Sequence, residues 1–455
     1  MTDSTPNAKR ARIFYARVDE DARREDKYKF LDDAGSVRGV EWQELQPDTK
    51  HTWLTEGMHE EFDRFIPLGS KEAKASKQGN TETIFKSYGR GVATARDTWA
   101  YNFNKDVLIE NIKRTIEAYN EHVYKWMQTP RDKSKVDAFV DNDEGKISWS
   151  LGMKNYLRRG RSTSYDETHV RNALYRPFTA SFLYFDAILN EARYQFPSIY
   201  PTSTTEVENY VICVGGYGRK PFSVLASNKI SDLNLYADPQ QSFPLYTYDE
   251  DGTNRRENIT DWALSEFRAQ YRSQSISKLD IFHYVYALLH HPTYRSTYAA
   301  NLKRELPRIP FVESAADFRA FARAGERLAD LHVNYEAQAE YGLERVENAD
   351  AALDWRVERM RLSKDKTAIV YNDFLTLEGI PPAAFEYRLG NRSALEWIID
   401  QYQVTTDKRS GITNDPNRTG EPDYIVKLIG KVITVSIETV KTVRGLPALK
   451  PIAAP

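Results

Sequence analysis

Cysteine is nearly absent from this chain: Cys213 is the only one in 455 residues. That excludes an internal disulfide framework and a zinc site built on several thiolates. Long apolar runs are missing too, so no segment reaches membrane-spanning length. The N-terminal MTDSTPNAKRAR lacks the apolar core of a signal peptide, and the expected setting is the cytoplasm with no membrane partner. Nor is there an excess of either charge: 63 Lys and Arg stand against 65 Asp and Glu, a formal net charge of -2. Binding to a polyanion would have to come from a local basic face rather than the overall field. No internal repeat, heptad array or low-complexity tract interrupts the chain.

The loops that carry familiar chemistry are absent as well. An amino-methyltransferase needs an Asn/Asp-Pro-Pro-aromatic turn whose acceptors hold the target amino group. Here Pro381-Pro382 is preceded by Ile380 and followed by Ala383. A phosphate-cradling loop ends in Gly-Lys-Ser/Thr. The nearest candidate, GGYGRKP at 215–221, has Arg219 after the glycine and Pro221 where the hydroxyl belongs, and reads as a β-turn with a basic tip, Arg219-Lys220. Asp280 and His283 share a helical face, with His290 and His291 following, but no third ligand falls at a suitable spacing. These read as core histidines, and no metal is expected.

What the chain does have is 41% hydrophobic and 28% charged residues, with 28 Tyr, 20 Phe and 8 Trp, a globular balance. The pattern predicts an α/β (mixed α+β) fold: one large domain with a central mixed sheet and surrounding helices, plus a small N-terminal strand/helix appendage. The appendage and its linker are expected over 1–80, with SKEAKASKQGN (70–80) as a mobile connection, and the large domain over 81–455. ARIFYARV (11–18) reads as a strand and the charged run after it as an exposed helix. A strand near 98–103 is expected to lead into a helix over about 104–127, where Ile109, Ile112, Ile116 and Tyr119 recur at helical spacing. TPRDKSKVDAFVDNDEG (129–145) reads as a surface connection. Residues 172–260 are β-rich, and from 261 the chain turns helical. Ser314 with Asp317 and Ser393 with Glu396 mark helix starts by their capping spacing, and 423–443 is the last helix.

One region is locally basic. Between Gly145 and Phe185 lie Lys146, Lys154, Arg158, Arg159, Arg161, Arg171 and Arg176 against only Asp166 and Glu167, a local +5. Arg158-Arg159-Gly160-Arg161 followed by Ser162-Thr163-Ser164 offers guanidinium forks and hydroxyls, both phosphate ligands, and arginine also reads guanine edges. The candidate double-stranded-DNA contacts are therefore Lys154, Arg158, Arg159, Arg161, Arg171, Arg176 and the second tip, Arg219 and Lys220.

The stretch IFKSYGRGVATARDTWAYNF (84–103) joins loosening glycines, a charged Arg96-Asp97 pair and the alternating aromatics Trp99, Tyr101 and Phe103. It resembles the opening of the C-terminal specificity region of the type ISP restriction–modification enzymes. The likeness continues through ARIFY (11–15), EWQE (41–44), HTWL (51–54), FIPLGSKEAK (65–74), YRPF (175–178) with LYF (183–185), SDLNLY (231–236), DIFHYVYALLHHPTYR (280–295) and ALEWIIDQYQV (394–404). That resemblance implies a target-recognition module preceded by the tail of an adenine methyltransferase domain. It implies that S-adenosylmethionine, ATP and Mg belong to the methyltransferase and helicase-nuclease domains of the same defence system, and that this chain by itself has no cofactor and no catalytic residue. The motif residues Arg96, Asp97, Trp99, Tyr101, Tyr175, Pro177 and Phe178 are expected to hold the domain together or to dock it. On the residues alone, two other readings stay open: a protein-interaction scaffold with an incidental basic loop, and a hydrolase using aromatic platforms and scattered carboxylates.

Overall fold

Alternation along one short strand sets the layering. In Val211–Gly215 every residue is buried, Val211 and Cys213 pointing into one apolar core and Ile212 and Val214 into another. A strand covered on both faces reads as a continuous hydrophobic run, as VICVG does. The computed structural model describes residues 11–19, 22–48, 51–75, 81–129, 135–216, 218 and 220–453. It divides into two compact units, 1–58 and 59–455.

In the smaller unit, the strands Ile13–Tyr15 and Gln43–Leu45 pair antiparallel, flanking the helix Arg24–Ala34, which Gly35 ends in a left-handed turn at φ 60°. The Arg12 guanidinium grips both oxygens of Glu44. None of its described residues is buried.

In the larger unit, Val211–Gly215 pairs antiparallel with Ser223–Ser227 and with Gln241–Pro244, and Gly89–Arg90 adds an edge. A second four-stranded sheet is built on the hairpin Val170–Arg176 and Thr179–Tyr184, bordered by Tyr101–Asn102 and, in parallel, by Ile230–Ser231. A third, Glu344–Glu347 with Leu375–Glu378, Ala368–Val370 and Arg361–Leu362, lies in a stretch where the sequence signalled no strands. The mixed class holds, with the strands shared among several sheets.

Helices close the cores. Lys278–His290 packs on Ala315–Val333 across Gly325, where any Cβ would collide with the His283 carbonyl oxygen. Ser314 caps the second of these, its Oγ accepting from Asp317 N at 3.0 Å. Ser393 and Glu396 form the reciprocal capping box expected of them, opening Ala394–Gln401. Tyr424–Arg444 runs through the first core. Asp280 closes the capping box of Ser277, while His283 and His290 are buried core residues.

Four local expectations change. The strand foreseen near 98–103 is instead a helical turn, Asp97–Ala100, followed by the two-residue strand Tyr101–Asn102. Asp97, a good first-turn residue, tips the backbone into that turn. Trp99 is still buried, at 2% exposure, but Trp99, Tyr101 and Phe103 do not alternate on one strand. Within 70–80, Lys71–Ala75 is a short helix and 76–80 lie outside the described residues. Within 129–145, Val136–Phe139 is helical and Val136 is buried, while 130–134 lie outside them. Finally, residues 59–68 belong to the larger unit: Phe62, Phe65, Ile66 and Leu68 join its second core, and Ile66–Pro67 pairs with Arg308–Ile309.

Candidate nucleic-acid interface

The basic segment is a rigid loop mounted on a long helix. Lys105–Gln128 starts at Asn104, whose Oδ1 accepts from Asp106 N and Val107 N, and buries Ile112, Ile116 and Tyr119 on one face, while Ile109 of the expected stripe is only half-buried and Leu108 is buried instead. The short helix Leu151–Arg158 packs against it, capped by Ser150 Oγ and with Glu191 Oε2 accepting from Gly152 N at 2.7 Å. A carboxylate at that end complements the helix dipole. Gly160 then turns the chain at φ 66°, where a Cβ would strike Met127 Sδ. Beyond it the backbone is tied down: Tyr119 Oη donates to the Arg161 carbonyl at 2.6 Å. Asn120 donates to the Thr163 carbonyl at 2.7 Å and accepts from Thr163 N at 3.1 Å. Tyr165 stacks on Tyr184 at 5.9 Å, with Lys113 Nζ 4.9 Å from its ring centroid.

Arg159 and Arg161 project from this fixed backbone, exposed, and make no ion pair or side-chain hydrogen bond among the described residues. Ser162 and Ser164 are exposed beside them. On the supporting helix, Lys113 adds a cation beside the loop's Tyr165, and its neighbour Arg114 lies 5.2 Å over the Trp99 ring. These two, with the backbone clamps Tyr119 and Asn120, were missed in the sequence. Their signal in the sequence is a Lys-Arg pair beside the apolar stripe of the helix.

The other cations of the segment are committed elsewhere. Lys154 Nζ lies 2.7 Å from Asp137, and Arg158 donates to Asn155 Oδ1 at 2.6 Å with Asp137 at 3.9 Å. Lys146 lies between Asp143 and Asp141, at 3.3 and 3.7 Å. Arg171 is buried, its Nε donating to Glu206 at 2.8 Å and its Nη2 to Glu206 and the Tyr200 carbonyl. Arg176 pairs with Asp232 at 2.8 Å and covers the Tyr175 ring at 3.9 Å. Arg171 and Arg176 are thus internal ion pairs and leave the set of free cations: a guanidinium drawn into an apolar core needs a carboxylate, and each has one. Lys220 sits on the turn between Val211–Gly215 and Ser223–Ser227, and no contact among the described residues links it to the loop. Arg219 lies outside the described residues.

The motif residues converge behind the loop. Asp97 accepts hydrogen bonds from the Thr94 and Tyr175 hydroxyls, and Asp232 from Tyr101 Oη at 3.3 Å. The Tyr101 and Tyr175 rings meet at 4.8 Å. Pro177 is buried, and Phe178 sits at the hairpin bend at φ 56°, packed on Tyr335. Burial and the neighbouring Asp97 push the Asp232 carboxyl up to about 6, against the pull of Arg176. Burial pushes the Arg96 guanidinium down to about 10, with Glu191 opposing. Three sequence motifs therefore meet in one buried polar knot, which positions the hairpin.

Two clefts adjoin the hairpin. One, about 500 Å³, is lined by Phe103, Lys105, Asn172, Phe182, Tyr402 and Arg418. The other, about 580 Å³, is lined by Thr168, Arg171, Phe185, Arg193, Thr202 and Ser203, with acidic Glu167 and Glu250. Among the described residues no group of three or more His, Cys, Asp or Glu is arranged to hold a metal ion, and no helix is long and apolar enough to cross a membrane.

Comparison with known families matches residues 83–428 to the Type ISP C-terminal specificity domain. Among solved structures, the chain is similar to a nuclease-deletion mutant of the Type ISP restriction-modification enzyme LlaGI in complex with a DNA substrate mimic: 33% identity, TM-score 0.83, 98% of this chain and 40% of that one. It is similar to the ATP-dependent Type ISP enzyme LlaBIII bound to DNA at 30% identity and TM-score 0.83, over 97% of this chain and 28% of that one. It is also similar to DrdV in its DNA complex at 34% identity and TM-score 0.83, over 96% of this chain and 43% of that one. The chain thus spans less than half the length of each. Comparison with curated proteins found no match.

Proposed function

We propose that this chain, which belongs to the family of Type ISP C-terminal specificity domains, recognises the target sequence in double-stranded DNA for a restriction–modification system. The observation that carries this reading is the match of 98% of the chain, at TM-score 0.83, to an enzyme whose structure is a complex with a DNA substrate mimic. The geometry adds a mechanism. Backbone clamps hold the 159–165 loop before any ligand arrives, so its cations contact phosphate without first ordering a segment. Arg159, Arg161 and Lys113 neutralise backbone phosphates and fix register, and base edges are read by groups placed from that register. Adenine-N6 methylation with S-adenosylmethionine, and ATP- and Mg-dependent cleavage, fall to other domains or chains of the system, in the cytoplasm. The 1–58 unit supports such a partner: none of its described residues is buried, and Tyr28, Leu31, Val37, Trp42 and Trp53 are exposed, a surface suited to docking on another protein domain.

The test is duplex binding against salt. The parent should lose affinity steeply as salt rises, and Arg159→Ala with Arg161→Ala should weaken binding to every sequence alike, lowering the log–log slope by about 0.9 per lost contact. A well-folded double variant with the parent's slope would remove the loop from the interface. Purified chain incubated with labelled S-adenosylmethionine and duplex, and separately with ATP, should show no turnover. Turnover above background in either assay would overturn the assignment of chemistry to partner domains.

A further inference from the structure

The second cleft contains a feature that the loop does not explain. Arg193 is half-buried, its guanidinium carbon 5.1 Å from the centroid of the buried Phe185 ring. None of its N–H groups has a hydrogen-bond or ion-pair partner among the described residues. Its neighbours differ in this respect: Lys105, Lys154, Arg158, Arg171 and Arg176 each have a carboxylate within 4 Å. The wall opposite is fixed. Arg171 donates to the carbonyls of Tyr200 and Pro201 and to Glu206, holding the chain that presents Thr202 and the exposed Ser203 to the cleft. Thr168 Oγ1 donates to Asp166 at 2.7 Å and is therefore committed within the chain. Glu167, one of the two acids lining the cleft, is held by Lys105 at 2.9 Å. A guanidinium beside a buried ring, with its donors free and the Ser203 hydroxyl lining the same pocket of about 580 Å³, is built to receive an oxyanion with several acceptors.

We propose that this cleft is a phosphate site, with Arg193 as its principal ligand and Ser203 as a hydroxyl donor. Resting on the DNA reading above, the phosphate is a backbone diester of the bound duplex, a contact separate from the 159–165 loop. The guanidinium fork presents paired N–H groups, so two of them can face two oxygens of one phosphate. Glu250 lines the cleft and opposes the anion.

Two probes separate the source of the phosphate, duplex DNA and inorganic phosphate. With DNA, Arg193→Ala should weaken binding to all sequences and lower the salt slope by about 0.9, in addition to the effect of the Arg159/Arg161 double variant. Glu250→Gln should tighten binding, an effect of opposite sign that damage to the fold would not produce. With inorganic phosphate, the melting temperature of the parent should rise and that of Arg193→Ala should not. Arg193→Lys, which keeps the charge but loses the fork, should retain the slope and bind phosphate more weakly. Parent-like slope and parent-like phosphate response in Arg193→Ala would overturn the site while leaving the DNA reading intact. A parent that binds no DNA but is stabilised by phosphate through Arg193 would sink the DNA reading and keep the site for a free phosphate.

Discussion

Arg176 separates a basic residue that binds DNA from one that binds its own fold. In Arg176→Met the aliphatic stem stays and the charge goes. Asp232 Oδ1 then loses its partner at 2.8 Å, and Asp232 keeps only the Tyr101 hydroxyl and Asn234 N, with Asp97 still close by. Removing one member of a buried ion pair strands the other, a loss of about 3–5 kcal/mol. The pH dependence fixes the interpretation. In the parent, burial already raises the Asp232 carboxyl to about 6 from 3.8, and Arg176 is the main group pulling it down, so the variant's value must be higher. A folded-state value raised above the unfolded one means that protonation favours the native state. Stability from this group is complete below the unfolded value and is lost as pH rises through the folded one. The variant should therefore be most destabilised near pH 8 and recover towards the parent as pH falls to about 5. Urea denaturation across that range measures it. The salt slope of DNA binding should match the parent's wherever the variant is folded. A stable variant with a reduced slope would place Arg176 on the DNA and refute the buried-pair argument.

Trp99→Ala should destabilise the fold by about 3–5 kcal/mol, because a fully buried ring leaves a cavity that the Asp97–Ala100 turn cannot close, and an unchanged melting temperature would put the motif on the surface. Gly325→Ala should also destabilise, by about 1–3 kcal/mol, although alanine at an open helical position would gain about 1 kcal/mol, since its Cβ meets the His283 backbone. A higher melting temperature would mean that the two helices do not touch there. Ser393→Ala should lose about 1 kcal/mol by opening the capping box with Glu396, read in the same denaturation assay.

The helices of this fold were legible because their signals are local. The stripe of Ile112, Ile116 and Tyr119, the Ser314 cap and the Ser393–Glu396 box each lie within a few residues, and each sits where the spacing put it. Asp97–Ala100 failed for the converse reason. Its aromatics alternate as a strand would, but its first residue is held by the Thr94 and Tyr175 hydroxyls, the latter 78 positions away, and no window of sequence contains that bond. Charge was the least legible quantity of all. Counting from Gly145 to Phe185 gave a basic surface, yet Arg171 and Arg176 find Glu206 and Asp232 in segments 35 and 56 residues further on, and Lys154 finds Asp137 outside the counted window. A formal count cannot tell a cation already neutralised in the core from one waiting for phosphate. The distinction depends on carboxylates contributed by distant segments, and it strips the outer members of the basic run from the proposed interface, leaving Arg159 and Arg161 on the clamped loop, joined by Lys113 on the helix beneath and Arg193 beyond the hairpin.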